Sequence, residues 1–426
     1  MSTVAEAPRS PAIAGFRHRA AFWAISYALL VMLANSAVPT PLYPLYQARD
    51  GFSSFMVTVI FGVYAVGVVV SLFTVGHLSD WHGRRRIVVP AVLLSIASGV
   101  IFLLWRDVPG LLVGRFVSGL GVGAVTATAT AWIAELHARG RPAGSPRYAE
   151  VVATAANLGG IGVGPLVAGA LVQWVAYPFA VPFLIFLAAL MVALGLALAS
   201  PETREPVRPR PAYRPQRVSV PPAARTAYLA AAVAAAISFA SFGLFTSLAP
   251  SFLAGTLHHG SPLLAGATAF IVFASGAAGQ MFVATRPIAV AVAIGAALML
   301  VGLGVVVAAV WLPDPSLALF LLGGAMAGAG SGCLFKVVVT QAGRMAAPEH
   351  RAETLAGMFL AGYIGLALPV VGLGVLTLHV SARIGLLVFG VVLAAATLAT
   401  LPFVLRGARA VDSTVPIQAG SGAGRW

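Results

Sequence analysis

Two cations, Arg115 and Lys336, stand inside otherwise apolar stretches of this chain, and Lys336 is its only lysine. A charge at membrane depth costs several kcal/mol unless it meets a partner or a wet cavity. Each could therefore attract an anionic substrate or take part in proton transfer. Snorkelling of the long lysine stem to a surface is the structural alternative. The chain has twelve acids, and none lies near the centre of an apolar run, so the two cations have no predicted counter-charge. A second cluster is Gly76-His77-Leu78-Ser79-Asp80-Trp81-His82-Gly83-Arg84-Arg85-Arg86. There Gly76 permits close helix contact and Gly83 a tight turn, while Asp80 can accept hydrogen bonds from a helix N-terminus. Aromatic and polar side chains within apolar runs complete a candidate cavity: Tyr27, Asn35, Tyr43, Phe61, Tyr64, Phe242, Phe359 and Tyr363. Asn35 stands out, because an amide inside a membrane needs a partner. The lone cysteine, Cys333, excludes an internal disulfide. The glycine runs follow no strand and open no βαβ unit, which argues against nucleotide binding. No metal, cofactor or enzymatic activity is expected.

The elements that position these residues follow from composition. Of 426 residues, 59% are hydrophobic and only 9% charged, with a mean hydropathy of +0.95. A soluble surface needs roughly a quarter or more charged residues, so the solvent for most of this surface is lipid. Apolar runs of membrane-spanning length lie near 21–45, 54–77, 87–105, 110–136, 149–174, 178–199, 226–255, 262–284, 288–311, 316–342, 353–378 and 383–404. Lipid offers the backbone no hydrogen-bond partners, so these runs predict helices. The expectation is an all-α membrane protein with twelve transmembrane helices. The first run follows Arg17, His18 and Arg19 in the manner of a signal peptide. It continues into Pro39–Tyr46 without a small-residue cleavage site, which predicts a retained span.

A net charge of +14 raises the question of nucleic acid, and the positions of the basic residues answer it. With twelve crossings and a cytoplasmic N-terminus, 21 basic residues fall in inner segments and only Arg49, Arg106 and Arg383 in outer loops. This is the positive-inside bias, which predicts cytoplasmic termini. The basic residues also suit anionic lipid. Nucleic acid is not an expected partner.

Residues 201–225 contain seven prolines and six arginines, too polar to span and too proline-rich for a continuous helix. Six apolar runs precede this segment and six follow. The predicted organisation is a cytoplasmic tail over 1–20, six-helix bundles over 21–200 and 226–405, a cytoplasmic linker over 201–225 and a second tail over 406–426. An internal echo supports duplication. Gly119-x-Gly121-x-Gly123 in the fourth run recurs as Gly328-x-Gly330-x-Gly332 in the tenth, at an offset of 209. The fifth and eleventh runs are both interrupted by glycine and proline, a mark of the moving seam in duplicated transporters.

Glycine, aspartate four residues on, glycine three further and a basic run, placed between the second and third of twelve spans, resembles the inner-loop motif of the major facilitator superfamily. The resemblance implies that Asp80 braces the second span against the eleventh. It also implies that Arg84 pairs with Glu135 at the inner end of the fourth span. Gly76, Asp80, Gly83, Arg84 and Glu135 thus form the expected gate. The second-half counterpart, Gly279–Pro287, retains only an Arg286–Pro287 remnant. Arg115 followed by Gly119 and Gly121 is similar to the family's fourth-span motif, whose arginine is associated with proton coupling. Gly160-x3-Gly164-Pro165-x2-Ala168-Gly169 resembles the fifth-span motif of the antiporter branch, with Ala168 in place of a usual glycine. Pro39-x-Pro41 and Pro201-Glu202-Thr203 also fit the pattern.

The resemblance implies two pseudo-symmetric six-helix bundles of the major facilitator fold. It also implies efflux of small organic molecules by alternating access, coupled to protons, in a bacterial inner membrane and by a monomer. Expected coupling or substrate residues are Arg115, Lys336, Asn35, Tyr27, Tyr64, Phe242 and Tyr363. Gly160, Gly164, Pro165 and Gly169 form the expected hinge, with Gly164 at close packing between the halves. Uptake or export of one organic anion is the rival transport reading, and a non-transporting membrane sensor is the rival from another class.

Overall fold

The computed structural model describes residues 11–205, 213–220, 224–347 and 350–413. Residues 1–10 and 414–426 of the expected tails and 206–212 and 221–223 of the expected linker lie outside the described residues. Twelve long helices dominate: α1 (Pro11–Ala37), α2 (Ser54–Thr74), α3 (Arg85–Leu104), α4 (Val108–Gly140), α5 (Pro146–Trp174) and α6 (Val181–Ala199) in the first half. The second half holds α7 (Arg225–Ser247), α8 (Pro262–Val283), α9 (Ile288–Trp311), α10 (Leu317–Met345), α11 (Arg351–Leu376) and α12 (Ala382–Ser413). Among the described residues, twelve helices are long and apolar enough to cross a membrane. Trp105, Trp174 and Trp311 are exposed at helix ends, where amphipathic rings suit a membrane interface, while Trp23 is exposed midway along α1.

Two expected spans are broken. The first helix stops at Ala37, makes a 3-10 turn at Thr40–Leu42 and resumes as Tyr43–Asp50. Pro39, Pro41 and Pro44 lack the amide hydrogens that a continuous helix would need there. The seventh stops at Ser247 and resumes as Ala249–Gly255, with Pro250 in the new first turn. The two breaks occupy equivalent places, and the short helices after them pack against each other.

The packing repeats with a period of six helices. In the first half, α4 packs against α1, α2 and α3, α1 against α5 and α6, and α3 against α6. In the second half, α10 packs against α7, α8 and α9, α7 against α11 and α12, and α9 against α12. Two seams join the halves, α5 with α8 and α2 with α11, and the same exchange interconverts them.

The glycine triplets explain why α4 and α10 sit at the centre of their bundles. A Cβ on Gly119 or Gly123 would overlap the α2 backbone at Tyr64 and Val68. One on Gly328 or Gly332 would overlap α8 at Val272 and Gly276. The middle glycines turn the other way, Gly121 toward Ala91 of α3 and Gly330 toward Met299 of α9. With lipid outside and no hydrophobic drive between helices, such close approach is what holds membrane bundles together. Even the caps repeat at the same offset: Asp107 accepts from the Gly110 amide at 3.1 Å, and Ser316 accepts from the Leu319 amide at 3.3 Å.

The seams are tight at the end of the bundle away from the described N-terminal residues. Gly169 of α5 leaves no room for a side chain against Pro262 of α8, and Gly266 of α8 leaves none against the Pro165 carbonyl. Gly374 of α11 meets Thr58 of α2. Hydrogen bonds from Ser251 to Gln47 (3.4 Å) and from Ser261 to Gln173 (3.0 Å) close the same end.

Candidate functional site

Below the closed end, a cavity of about 490 Å³ lies between the halves. Its walls run from Ser36, Thr40 and Arg115 near the closed end to Glu150, Arg344 and Arg351 at the other. Glu150 lies in the first turns of α5, Arg344 in the last of α10 and Arg351 begins α11, so the cavity opens at the end where α1 begins.

Arg115 is 2% exposed. Its Nε and one terminal nitrogen donate to the Tyr43 hydroxyl at 2.9 and 2.6 Å. The other terminal nitrogen donates to the Ser36 carbonyl. The rings of Tyr43, Phe61 and Tyr64 surround its guanidinium with centroids at 5.5, 6.0 and 5.9 Å. Hydroxyl, carbonyl and ring faces spread the charge, and no carboxylate ion pair to Arg115 occurs among the described residues. The break after Ala37 aims both Ser36 and Tyr43 at the guanidinium, which ties the irregular backbone to the buried charge.

Lys336 faces the cavity, and its Nζ lies 3.5 Å from a Glu150 carboxylate oxygen on α5. Its partner comes from the opposite half, which snorkelling to lipid headgroups would not produce. An aromatic wall adjoins it. Phe335 lies edge-on to Phe239 and Phe359, with centroids at 4.9 and 5.7 Å, and Phe239 meets Tyr363 at 5.3 Å. Phe242 stacks on Phe273 at 4.7 Å. Tyr64, Phe242 and Tyr363 all line the cavity, with Arg115 and Lys336.

Three expected cavity residues lie off its walls: Tyr43, buried behind Arg115, and Asn35 and Tyr27, within the first bundle. Asn35 is fully buried within the first half, where its amide nitrogen donates to the Ser95 carbonyl at 3.2 Å, joining α1 to α3. The Tyr27 hydroxyl donates to the Ala189 carbonyl of α6 at 3.3 Å. Both tie helices of one bundle together by a side-chain bond to a carbonyl, the Asn35 amide oxygen having no partner among the described residues. The expected hinge divides as well. Gly160 and Gly164 abut α1 of their own half, at Leu30 and Ala34, which corrects the expectation that Gly164 packs between the halves. Pro165 and Gly169 face α8 across the seam.

The loop between α2 and α3 forms a charged knot. Arg84 donates to Glu135 at 2.8 and 3.3 Å, to Ser79 at 2.7 Å, and pairs with Asp80 at 2.9 Å. Burial works to lower the Arg84 pKa, but the bonds and charge of Glu135, with Asp80, outweigh it and raise the pKa above the ordinary guanidinium value. Gly83 has φ +100°, a left-handed conformation that favours glycine, and Glu202 fills the space where a Cβ would go. The Glu202 carboxylate accepts from the Arg84 and Arg85 amides, both at 2.9 Å, capping α3. Thr203 donates to Glu135. At this end Asp80 pairs with Arg84 of its own loop, while the close α2–α11 approach of Gly374 to Thr58 lies at the far end.

Glu150 is the functional candidate that sequence reasoning missed, and Glu202 stands in the sequence reading only within Pro201-Glu202-Thr203, without its role as the α3 cap. A faint signal existed for the first: Glu150, Thr154, Asn157 and Ile161 recur at helical spacing and form one cavity-facing stripe.

The family profile described as Major Facilitator Superfamily matches residues 24–290. The chain belongs to the major facilitator superfamily. Similar members include an arabinose-proton symporter of Bacillus subtilis, 35% identical over 83 residues, which are 20% of this chain and 18% of that protein. A bacillibactin exporter of the same organism is 28% identical over 103 residues, 23% of this chain and 26% of that protein. These matches span about a fifth to a quarter of the relatives' length. A solved peptide transporter of the POT family, in complex with alafosfalin, superposes with a TM-score of 0.72. It covers 94% of this chain and 99% of that one at 15% identity, a likeness of fold. The superfamily's two-bundle architecture accounts for the exchange of seams described above.

Proposed function

We propose that the protein is a secondary active transporter that exports small organic molecules by alternating access, with proton coupling. The observation that carries this reading is the cavity between the halves, tightly sealed at one end and open at the other. A rocking of one bundle on the other about such a site exposes it to each side in turn. Its size suits a small organic ligand. The positive-inside bias supports a bacterial inner-membrane location with cytoplasmic termini, which makes the open end the cytoplasmic one and suits loading of an export substrate. Under this reading Asp80, Arg84 and Glu135 gate the inner end, and Gly169 and Pro165 form the pivot between the halves.

The test is a compound screen in proteoliposomes with an imposed pH gradient. The expected result is gradient-driven movement of at least one neutral or anionic compound; no gradient-dependent flux for any chemical class sinks the reading. A second reading, transport of one organic anion in either direction, is favoured by the cavity's charges. Arg115, Lys336, Arg344 and Arg351 line it against the single acid Glu150. A permanent cation would meet like charges in a low-dielectric space, so quaternary amines should be the poorest substrates.

A further inference from the structure

The Lys336–Glu150 contact has features that a structural ion pair does not need. It is at the long end of contact, 3.5 Å, and its side chains remain 33% and 65% exposed. Among the described residues it is also the ion pair that crosses between the two halves: Lys336 belongs to α10 and Glu150 to α5, across open space rather than across a packed seam. A pair that loose and that wet is weakly held. Beside it stands the aromatic wall of Phe335, Phe239 and Phe359, next to the lysine in the chain and in space. Further toward the mouth, Arg344 and Arg351 add positive charge. Clefts lined by one sign of charge concentrate the opposite ion.

We infer that Glu150 occupies the seat of the substrate's own carboxylate. An aromatic or strongly apolar carboxylate entering the cavity takes Lys336 from Glu150, lays its hydrophobic body on the rings of Phe335, Phe239 and Phe359, and leaves Glu150 solvated. The substrate class is thus an amphipathic organic monoanion. A bare inorganic anion would use the lysine and waste the wall, and a neutral apolar molecule would use the wall and leave the pair closed. Ring faces and edges add attraction beyond the area buried, so charge and body each contribute to recognition. The inference rests on the transport reading for its meaning, while the seat itself is a binding property.

Three probes of matched size test it: 4-phenylbutyrate, its neutral amide and 4-phenylbutylamine. Binding to the purified full-length protein is measured by titration calorimetry. Wild type should prefer the carboxylate. Glu150→Gln removes the competitor and should tighten carboxylate binding about fivefold, leaving the amide unchanged. Lys336→Gln should weaken carboxylate binding about tenfold, to the level of the amide. Lys336→Arg should retain most of it, since guanidinium also binds carboxylate. Weaker carboxylate binding in Glu150→Gln, or equal changes for amide and carboxylate, overturns the inference and makes the pair structural. The best binding for the amine overturns it too. Counterflow in proteoliposomes separates the two levels. If the amide exchanges across the membrane but the carboxylate has no advantage, transport stands and the seat falls. If Glu150→Gln tightens the carboxylate but nothing crosses the membrane, the seat stands and the transport reading falls.

Discussion

The loop between α2 and α3 and its counterpart between α8 and α9 sit on the same scaffold and differ in almost every charge. In the first, Arg84 is held by Glu135, Asp80 and Ser79, with Glu202 capping the helix that follows. In the second, Arg286 lies over the Phe282 ring at 4.0 Å. The residue placed like Glu135, at the offset relating the glycine triplets, is Arg344. An arginine there gives Arg286 no acid to pair with. The small residues that let helices approach are duplicated, while the charges are not. Backbone approach therefore specifies the bundle, and the knot adds something that only one half has.

The largest effect that tests this contrast is on the duplicated scaffold. Gly119→Leu and Gly328→Leu should each destabilise the protein by about 3 kcal/mol or more, because the new side chain meets backbone that has nowhere to move. Thermal unfolding followed by size-exclusion chromatography should put the two variants within a few degrees of each other. A severe loss in one half only would break the claim that the scaffold is equivalent in both. Next in size is the unshared network. Glu135→Gln leaves Arg84, 6% exposed, without its closest carboxylate partner, and removal of one partner of a buried pair costs up to about 3–5 kcal/mol. Transport should drop at least tenfold in that variant with correct membrane insertion, whereas Arg286→Gln should stay near wild type. Asp80→Asn, on a half-exposed side chain, should fall between them; wild-type rates there would remove Asp80 from the gate.

A seam comparison follows. Gly169→Leu should block approach of the two halves, and Gly164→Leu should instead disturb α1 within its own half. Labelling of single cysteines placed at the closed end, in a background where Cys333 is buried, should rise in Gly169→Leu far more than in Gly164→Leu. Equal labelling would erase the distinction drawn between the two glycines. The smallest effect is at the paired caps. Asp107→Ala and Ser316→Ala should each cost about 1 kcal/mol, read as matching small shifts in unfolding temperature.

The number and order of spans were legible because each is an apolar run long enough to see without neighbours. The repeat was legible from Gly119–Gly123 and Gly328–Gly332, whose spacing reflects one local geometry used twice. Arg84 and Glu135 were brought together by a motif rather than by spacing. What spacing does not carry is which helix a residue faces. Asn35 and Tyr27 look like cavity polar groups from their types, yet each answers a carbonyl inside one bundle. Lys336 and Glu150 are 186 residues apart in different halves, and no local pattern joins them. The breaks of α1 and α7 were hidden because their prolines stand in runs that stay apolar throughout.

The exchange of the α5–α8 and α2–α11 seams has a consequence for the cavity between them. Each half has an even number of spans, so exchanging the halves keeps the same end open and makes the two seams equal, not the two open forms. Identical halves would give the cavity two equivalent sides. Every contact present in one half alone removes that equality, and the Arg84 knot, the Glu202 cap and the Tyr43 embrace of Arg115 all belong to the first half. Divergence between the halves is thus the means by which a two-fold cavity acquires two unlike walls.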